Sequence, residues 1–375
     1  MRAYTPFINV SSIISAYCYS LFRAEPYADC EHGCLYCYAR WRRRGSGPIY
    51  GAPRQFASIA SKIRGRGLKP IPVRLSTLTD PFQPSEHRYR LSLRILRWAL
   101  RLRYPILVNT KGVAMAEGRW LETLRELASE GLVVVQISLS TLNRDWSLRF
   151  EPGAPTPDRR LEAASRLSAL DIPIVFRLSP YIPGLTAKPS PEKLAEELHG
   201  AGARHVVVEA IRVERDEAER IGLIDEALEA YSLEGEGIVR PSLKARLGEY
   251  LELREALRDR GIGFATCKEG LYGLHTAEDC CGFYLLRDYA KRLTLYEFYR
   301  EALKRPLSLS SQPDFPEGYL YGERVTPYPG VVRRALRRHE RRLLRILSTP
   351  ELLHRLATEM RVENETLRVE PIGVD

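Results

Sequence analysis

Short runs of apolar and β-branched residues alternate along the first two-thirds of the chain with longer stretches whose apolar positions recur every three or four residues. The runs 71–78, 105–109, 132–139, 172–178 and 205–211 are each preceded by such an amphipathic stretch. Good helical examples are 91–102, 117–130, 158–169 and 191–200, with Gly131 and Gly200 as stop signals and Pro191 as a start. Strands that alternate with helices pair in parallel. A first strand between Tyr17 and Tyr27 brings the count to six, and 261–266 predicts a seventh.

The pattern changes after residue 285. The spacing predicts a helix over 288–305, an irregular proline-rich connection over 306–330, a basic helix over 331–347 and a last helix over 350–361. A chain of 375 residues exceeds the size at which a single core stops growing, so one large barrel with a smaller appendage is expected. The division falls between 1–285, the barrel, and 286–375, a helical basic extension packed on it. No internal repeat or low-complexity tract is present.

Fifty-seven Lys and Arg against 47 Asp and Glu give a net charge of +10, which favours a polyanionic partner. Two basic groups stand out. The first is Arg40, Arg42, Arg43 and Arg44, followed by Lys62, Arg64, Arg66 and Lys69; the second is 331–347, where Arg333, Arg337, Arg341 and Arg345 recur every four residues beside Arg334, Arg338 and Arg342. Leu336, Leu343, Leu344 and Leu347 offer that helix an apolar side, and Glu340 alone interrupts the basic stripe.

The most specific chemistry lies near the start. Cys30, Cys34 and Cys37 sit in Cys30-Glu31-His32-Gly33-Cys34-Leu35-Tyr36-Cys37-Tyr38-Ala39-Arg40. Structural zinc sites close with four ligands, usually as two separated pairs, whereas a C-x3-C-x2-C triplet leaves one metal of a cluster open. With Tyr36 in the aromatic slot before the last cysteine, the triplet resembles the cluster loop of the radical S-adenosylmethionine superfamily. The resemblance implies an α/β fold, a partial (β/α)6 TIM-type barrel, here with a mainly helical C-terminal extension. It also implies a [4Fe-4S] cluster on the three cysteines. S-adenosyl-L-methionine would chelate the fourth iron and be cleaved to a 5'-deoxyadenosyl radical that abstracts hydrogen from a substrate. An electron donor such as ferredoxin or flavodoxin is implied as well.

Chemistry in such barrels collects at the C-terminal ends of strands. There the superfamily binds its nucleoside, which nominates Thr79 and Asp80 after the second strand, Lys111 after the third and Ser138 in the fourth, besides Tyr36 and Tyr38 of the loop. His32 reads as a hydrogen-bonding neighbour of the cluster. The loop, Thr79-Asp80-Pro81, Thr110-Lys111 and the strand-four serine together are similar to the spore photoproduct lyase branch over roughly residues 15–215, as is 148–155 to a lyase-like group. That branch repairs a thymine dimer in DNA and returns a hydrogen atom from a cysteine near the end of strand two. Residues 74–80 contain none, and Thr77 or a neighbour stands in that place.

Four further cysteines bring the total to seven, an odd number that does not read as a disulfide framework. Cys267, Cys280 and Cys281 suggest a second metal centre, an auxiliary iron-sulfur or zinc site that Cys18 or His275 could complete, or else buried thiols, one of them a hydrogen-atom donor. Neither a secretory leader nor a membrane span is read from the chain, so a cytoplasmic location is expected. Three functions follow: a radical enzyme acting on DNA or RNA, a radical enzyme modifying a peptide or protein with an auxiliary cluster, and a non-enzymatic metal-binding module that recognises nucleic acid.

Overall fold

The computed structural model describes residues 6, 14–39, 45–223, 228–231, 237–309, 319–370 and 372. Its main sheet has seven strands in chain order: β1 Phe22–Ala24, β2 Val73–Leu75, β3 Ile106–Thr110, β4 Val133–Ser138, β5 Ile174–Tyr181, β6 Ala203–Ala210, then Gly263–Thr266. All six neighbouring pairs are parallel. Among the described residues β1 and the seventh strand are not paired, so the barrel stays open between them.

The two faces of each strand diverge in character, as a period of two requires. Ile106, Val108, Val133, Val135, Ile174, Phe176, Val206 and Val208 face outward into one core with the surrounding helices. Leu107, Val134, Val175 and Val207 form a separate floor, plugged by Phe283 and Leu286 from beyond the seventh strand. Two residues further along three of these strands the same file turns polar, with Asn109, Arg177 and Glu209. Sequence periodicity thus makes a barrel with a mainly apolar floor and a charged upper interior.

The helices begin and end where their termini can be satisfied. Pro191–Gly200 starts on Ser190, whose side chain accepts from Lys193 N at 3.2 Å, with proline at the first turn. Leu91–Arg101 buries Leu91, Leu93, Ile95, Leu96 and Ala99.

The extension departs from expectation in three places. The helix predicted over 288–305 spans Leu295–Lys304, because Lys291–Arg292 pairs with Tyr319–Leu320 and the capping box of Thr294 and Glu297 sets its start. The last helix stops at Leu356. It is followed by a hairpin, Met360–Glu363 with Thr366–Val369, turned through Asn364 and Glu365 at φ 47° and 57°. Two successive positive φ values are the signature of a type I′ turn, which matches the twist of the strands it joins. In the basic helix, Gly330–Leu347, the buried stripe is Val332, Leu336, His339, Leu343, Ile346 and Leu347. Leu344 is 43% exposed, off that stripe.

The first basic group also needs correction. Arg40, Arg42, Arg43 and Arg44 lie outside the described residues. Lys62 and Arg64 end the helix Ala52–Arg64, about 18 Å from its start at 1.5 Å per residue. There Arg66 donates to Pro327 O at 2.9 Å and Tyr328 to Lys69 O at 2.8 Å. Lys62 to Lys69 therefore stand beside the basic helix, before β2 begins, and not beside the cysteine loop.

Candidate functional site

Glu25, immediately after β1, shapes the turn that follows β2. Its carboxylate accepts from Ser76 Oγ at 2.5 Å, Thr77 N and Oγ1 at 2.6 Å each, Leu78 N at 3.1 Å and Thr79 Oγ1 at 3.3 Å. These bonds hold the buried Ser76 at φ 65°, a conformation that a residue with a Cβ seldom adopts unaided. Asp80 then ties this turn to the next strand end. It accepts from Thr110 Oγ1 at 2.7 Å, Lys111 N at 2.6 Å, Gly112 N at 3.3 Å and Phe82 N at 2.9 Å, and lies 3.5 Å from His32 Nδ1. Burial lowers the pKa of His32 even with that carboxylate beside it.

The cysteine loop leaves β1 and is held by a distant segment. Gly153 N donates to His32 O at 3.0 Å and Leu35 N to Phe150 O at 3.0 Å, while Glu31 N donates to Gln83 Oε1 at 2.8 Å. A Cβ at Gly153 would lie 2.4 Å from Glu31 O, so this approach needs glycine. Tyr36 points away from the loop into a buried cluster: its hydroxyl donates to Glu151, which also accepts from Ser140 Oγ at 2.6 Å, from Ser147 Oγ at 3.2 Å and from Arg160. Trp146 stacks on the Tyr36 ring, 5.9 Å between centroids. Burial by itself would raise the Glu151 carboxyl, but Lys111 and Arg160 pull it well below the usual range. Glu151 is the residue that sequence reasoning missed, although it lies in the run already singled out for its resemblance.

Cys30, Cys34 and Cys37 line one cavity together with Tyr36, Tyr38, Thr79, Asp80, Lys111 and Ser138, so the nominated residues do converge. Burial pushes the Cys34 thiol up to about 12. Tyr38 donates to Thr77 O at 2.8 Å, and Lys268 sits 5.5 Å from its ring centre. Lys111 Nζ is 3.3 Å from Glu151 Oε1 but forms no hydrogen bond with any described residue. A buried ammonium with unused donors beside three thiols fits an anionic ligand group, so these residues suit a cluster and a carboxylate-bearing nucleoside.

The rest of the cavity is cationic. Arg74, Lys111, Arg177, Arg212 and Lys268 line it against two carboxylates, Asp80 and Glu209. Glu209 pairs with Arg177, Arg212 and, at 2.6 Å, Lys268. Burial would raise its pKa, and these three cations lower it instead. Cys18, Cys267, Cys280 and Cys281 reach the same cavity.

A parallel partial barrel with three thiols on the loop after its first strand, facing a charged interior, defines a cluster-bearing enzyme of the radical type. The chain belongs to the Radical SAM superfamily, whose family model matches residues 25–211. Membership supplies the [4Fe-4S] cluster, S-adenosylmethionine and the need for a reductant, and it removes the reading as a non-enzymatic module. The fold is similar to spore photoproduct lyase: one variant gives a TM-score of 0.52 at 17% identity over 66% of this chain and 78% of that one, another 0.50 at 19% over 71% and 81%. In sequence the chain is 29% identical over 197 residues to the uncharacterized protein Rv2578c of Mycobacterium tuberculosis, covering 50% of this chain and 57% of that protein. It is 26% identical over 182 residues to the uncharacterized protein ORF301 of Acidianus two-tailed virus, covering 45% and 56%. The chain thus spans little more than half the length of these relatives. No described helix is long and apolar enough to cross a membrane.

Proposed function

We propose that this radical SAM enzyme acts on nucleic acid, DNA or RNA, in repair or modification. The supporting observation is the basic helix Gly330–Leu347, whose exposed arginine face suits a phosphate backbone, while Arg212 and Lys268 put cationic side chains at the cavity wall. The exposed Arg333, Arg334, Arg338, Arg341 and Arg345 make up that face, with Lys62, Arg64, Arg66 and Lys69 nearby, at the other end of the barrel from the cysteine loop.

In this reading Cys30, Cys34 and Cys37 hold the cluster, and Lys111 takes the carboxylate of S-adenosylmethionine with Ser138 and Thr79 beside it. When bound, the cluster supplies the electron that cleaves the sulfonium. Asp80 acts by joining two strand ends and His32 through its four accepted bonds. Tyr36 acts by fastening the loop to Glu151, and Tyr38 by lining the cavity. Thr77 or a neighbour stands in the place of the lyase's donor cysteine, and the Thr77 hydroxyl is engaged by Glu25 at 2.6 Å, so the dimer-repair reaction is not assigned. Residues 286–375 serve as an extension on the barrel, since Val325, Tyr328, Val332 and Leu336 share one buried cluster with the barrel helices. Cytoplasmic residence completes the reading.

A second reading, a peptide- or protein-modifying enzyme, is favoured by the extra thiols in the same cavity. Anaerobic reconstitution with iron, sulfide, reductant and S-adenosylmethionine, followed by chromatography for 5'-deoxyadenosine, separates the two. Oligonucleotides should stimulate product formation and bind with an affinity that falls steeply with salt. Turnover indifferent to DNA and RNA, with salt-insensitive binding, would sink the nucleic-acid reading.

A further inference from the structure

We propose that Cys18, Cys267, Cys280 and Cys281 form a closed tetrathiolate site for one zinc ion, which clips the open edges of the barrel together. The four thiols arrive on three separate segments: Cys18 just before β1, Cys267 directly after the seventh strand, and Cys280 and Cys281 on the loop that follows. The sulfurs of Cys267, Cys280 and Cys281 all lie within 4.8 Å of one another, and those of Cys280 and Cys281 are 3.5 Å apart. Cys18 Sγ lies outside that 4.8 Å group and is aligned with it through Arg74, one nitrogen of which donates to Cys18 Sγ at 3.1 Å and to Cys281 Sγ at 3.0 Å, so binding would draw Cys18 in as the fourth ligand.

The loop is built to aim these sulfurs. Asp279 accepts from Cys281 N at 2.8 Å, Phe283 N at 3.0 Å and Tyr284 N at 2.8 Å, and Gln136 Nε2 donates to Cys281 O at 2.7 Å. Gly282 at φ 76° turns the chain immediately afterwards.

Charge supports an anionic centre. Arg74, buried, and Arg177, largely buried, point inward from β2 and β5 and donate to sulfur, Arg177 reaching Cys267 Sγ at 3.3 Å. Among the described residues Arg74, Arg177 and Lys268 have one carboxylate, Glu209, among them. Burying that surplus against neutral thiols is costly. Four thiolates on one divalent ion carry two negative charges and leave this group near balance.

Spacing selects the nuclearity. Zinc-sulfur bonds of ~2.3 Å in a tetrahedron set sulfurs ~3.8 Å apart, close to what the trio shows. A cubane puts an iron-iron edge between any two cysteines and needs wider corners. Among the described residues only Cys267, Cys280 and Cys281 meet the 4.8 Å limit, whereas Cys30, Cys34 and Cys37 stand wider, as a cubane would need. His275 is half engaged: its Nε2 accepts from Thr266 N at 3.0 Å, its buried Nδ1 has no hydrogen-bond partner among the described residues, and neither nitrogen falls within the 4.8 Å group.

The site would act structurally. No described backbone ladder joins β1 to the seventh strand, and Cys18 and Cys267 flank those two edges. Metal analysis of the reconstituted full chain should find about one zinc per chain besides the cluster iron. A Cys280→Ser/Cys281→Ser variant should lose the zinc and keep the iron. The Cys30→Ala/Cys34→Ala/Cys37→Ala variant should lose the iron and keep the zinc. Iron for two cubanes in wild type, or zinc retained when Cys280 and Cys281 are both replaced, overturns the proposal. Should the double variant not fold, the triplet variant decides alone: one zinc supports the site, and none overturns it.

Discussion

Glu151→Gln should both destabilise the barrel and weaken its hold on the cluster. The carboxylate is buried and serves Tyr36, Ser140, Ser147, Arg160 and Lys111 at once. Glutamine keeps the shape, yet it removes the one negative charge facing a fully buried guanidinium and a largely buried ammonium. Breaking a buried pair in this way costs about 3–5 kcal/mol, mostly because the remaining charge is left uncompensated. Anaerobic urea unfolding followed by tryptophan fluorescence measures that loss, and iron per chain reports the loop. Adding Arg160→Met removes the stranded guanidinium and should recover part of the stability. The pH dependence has a fixed sign. A carboxyl held below its unfolded pKa stabilises fully above that value, ~4.3 for glutamate. The contribution disappears as pH falls through the lower folded value. The gap between wild type and Glu151→Gln should therefore be constant at neutral pH and narrow only in acid. A variant within about 0.5 kcal/mol of wild type, with full iron, would refute the idea that Glu151 anchors the loop.

Two further substitutions probe the same site. Gly153→Ala places a methyl 2.4 Å from Glu31 O and 3.0 Å from His32 Cα, both backbone atoms. It should cost about 1–3 kcal/mol and lower iron occupancy, and unchanged melting and iron would show that the loop can move aside. Lys111→Met should raise KM for S-adenosylmethionine by about 10–100-fold, the worth of a charge-assisted hydrogen bond, while iron content holds. An unchanged KM with reduced stability would assign Lys111 to Glu151 alone.

The sequence made some of this legible and hid the rest for definable reasons. Cys30, Cys34 and Cys37 are visible because cluster ligation is local, within eight residues. The strands are visible because their outward residues are uniformly apolar, and the long helices because their caps lie in sequence, as with Ser190 and Pro191. What was hidden depends on partners far along the chain. Tyr36 is legible as a cavity neighbour of the cysteines, but not its hydroxyl's partner Glu151, 115 positions away. Asp80 is legible as a polar strand-end residue, but not the bonds its oxygens accept from Thr110, Lys111 and Gly112. Lys62 and Arg64 seem close to the cysteines in sequence, but a 13-residue helix carries them to the other end of the barrel. The terminal hairpin escaped because Asn364-Glu365 is a weaker turn signal than Asn-Gly.

The reliance of the cysteine loop on Phe150, Glu151 and Gly153 also orders events during synthesis. A ribosome emits Cys37 more than a hundred residues before Glu151, and until then the newly made loop has nothing to brace it. Iron delivered to the nascent chain would meet a floppy trio of thiols; delivered after release, it meets a finished socket. Cluster insertion is therefore timed by the appearance of Glu151 and Gly153 and not by that of the three cysteines.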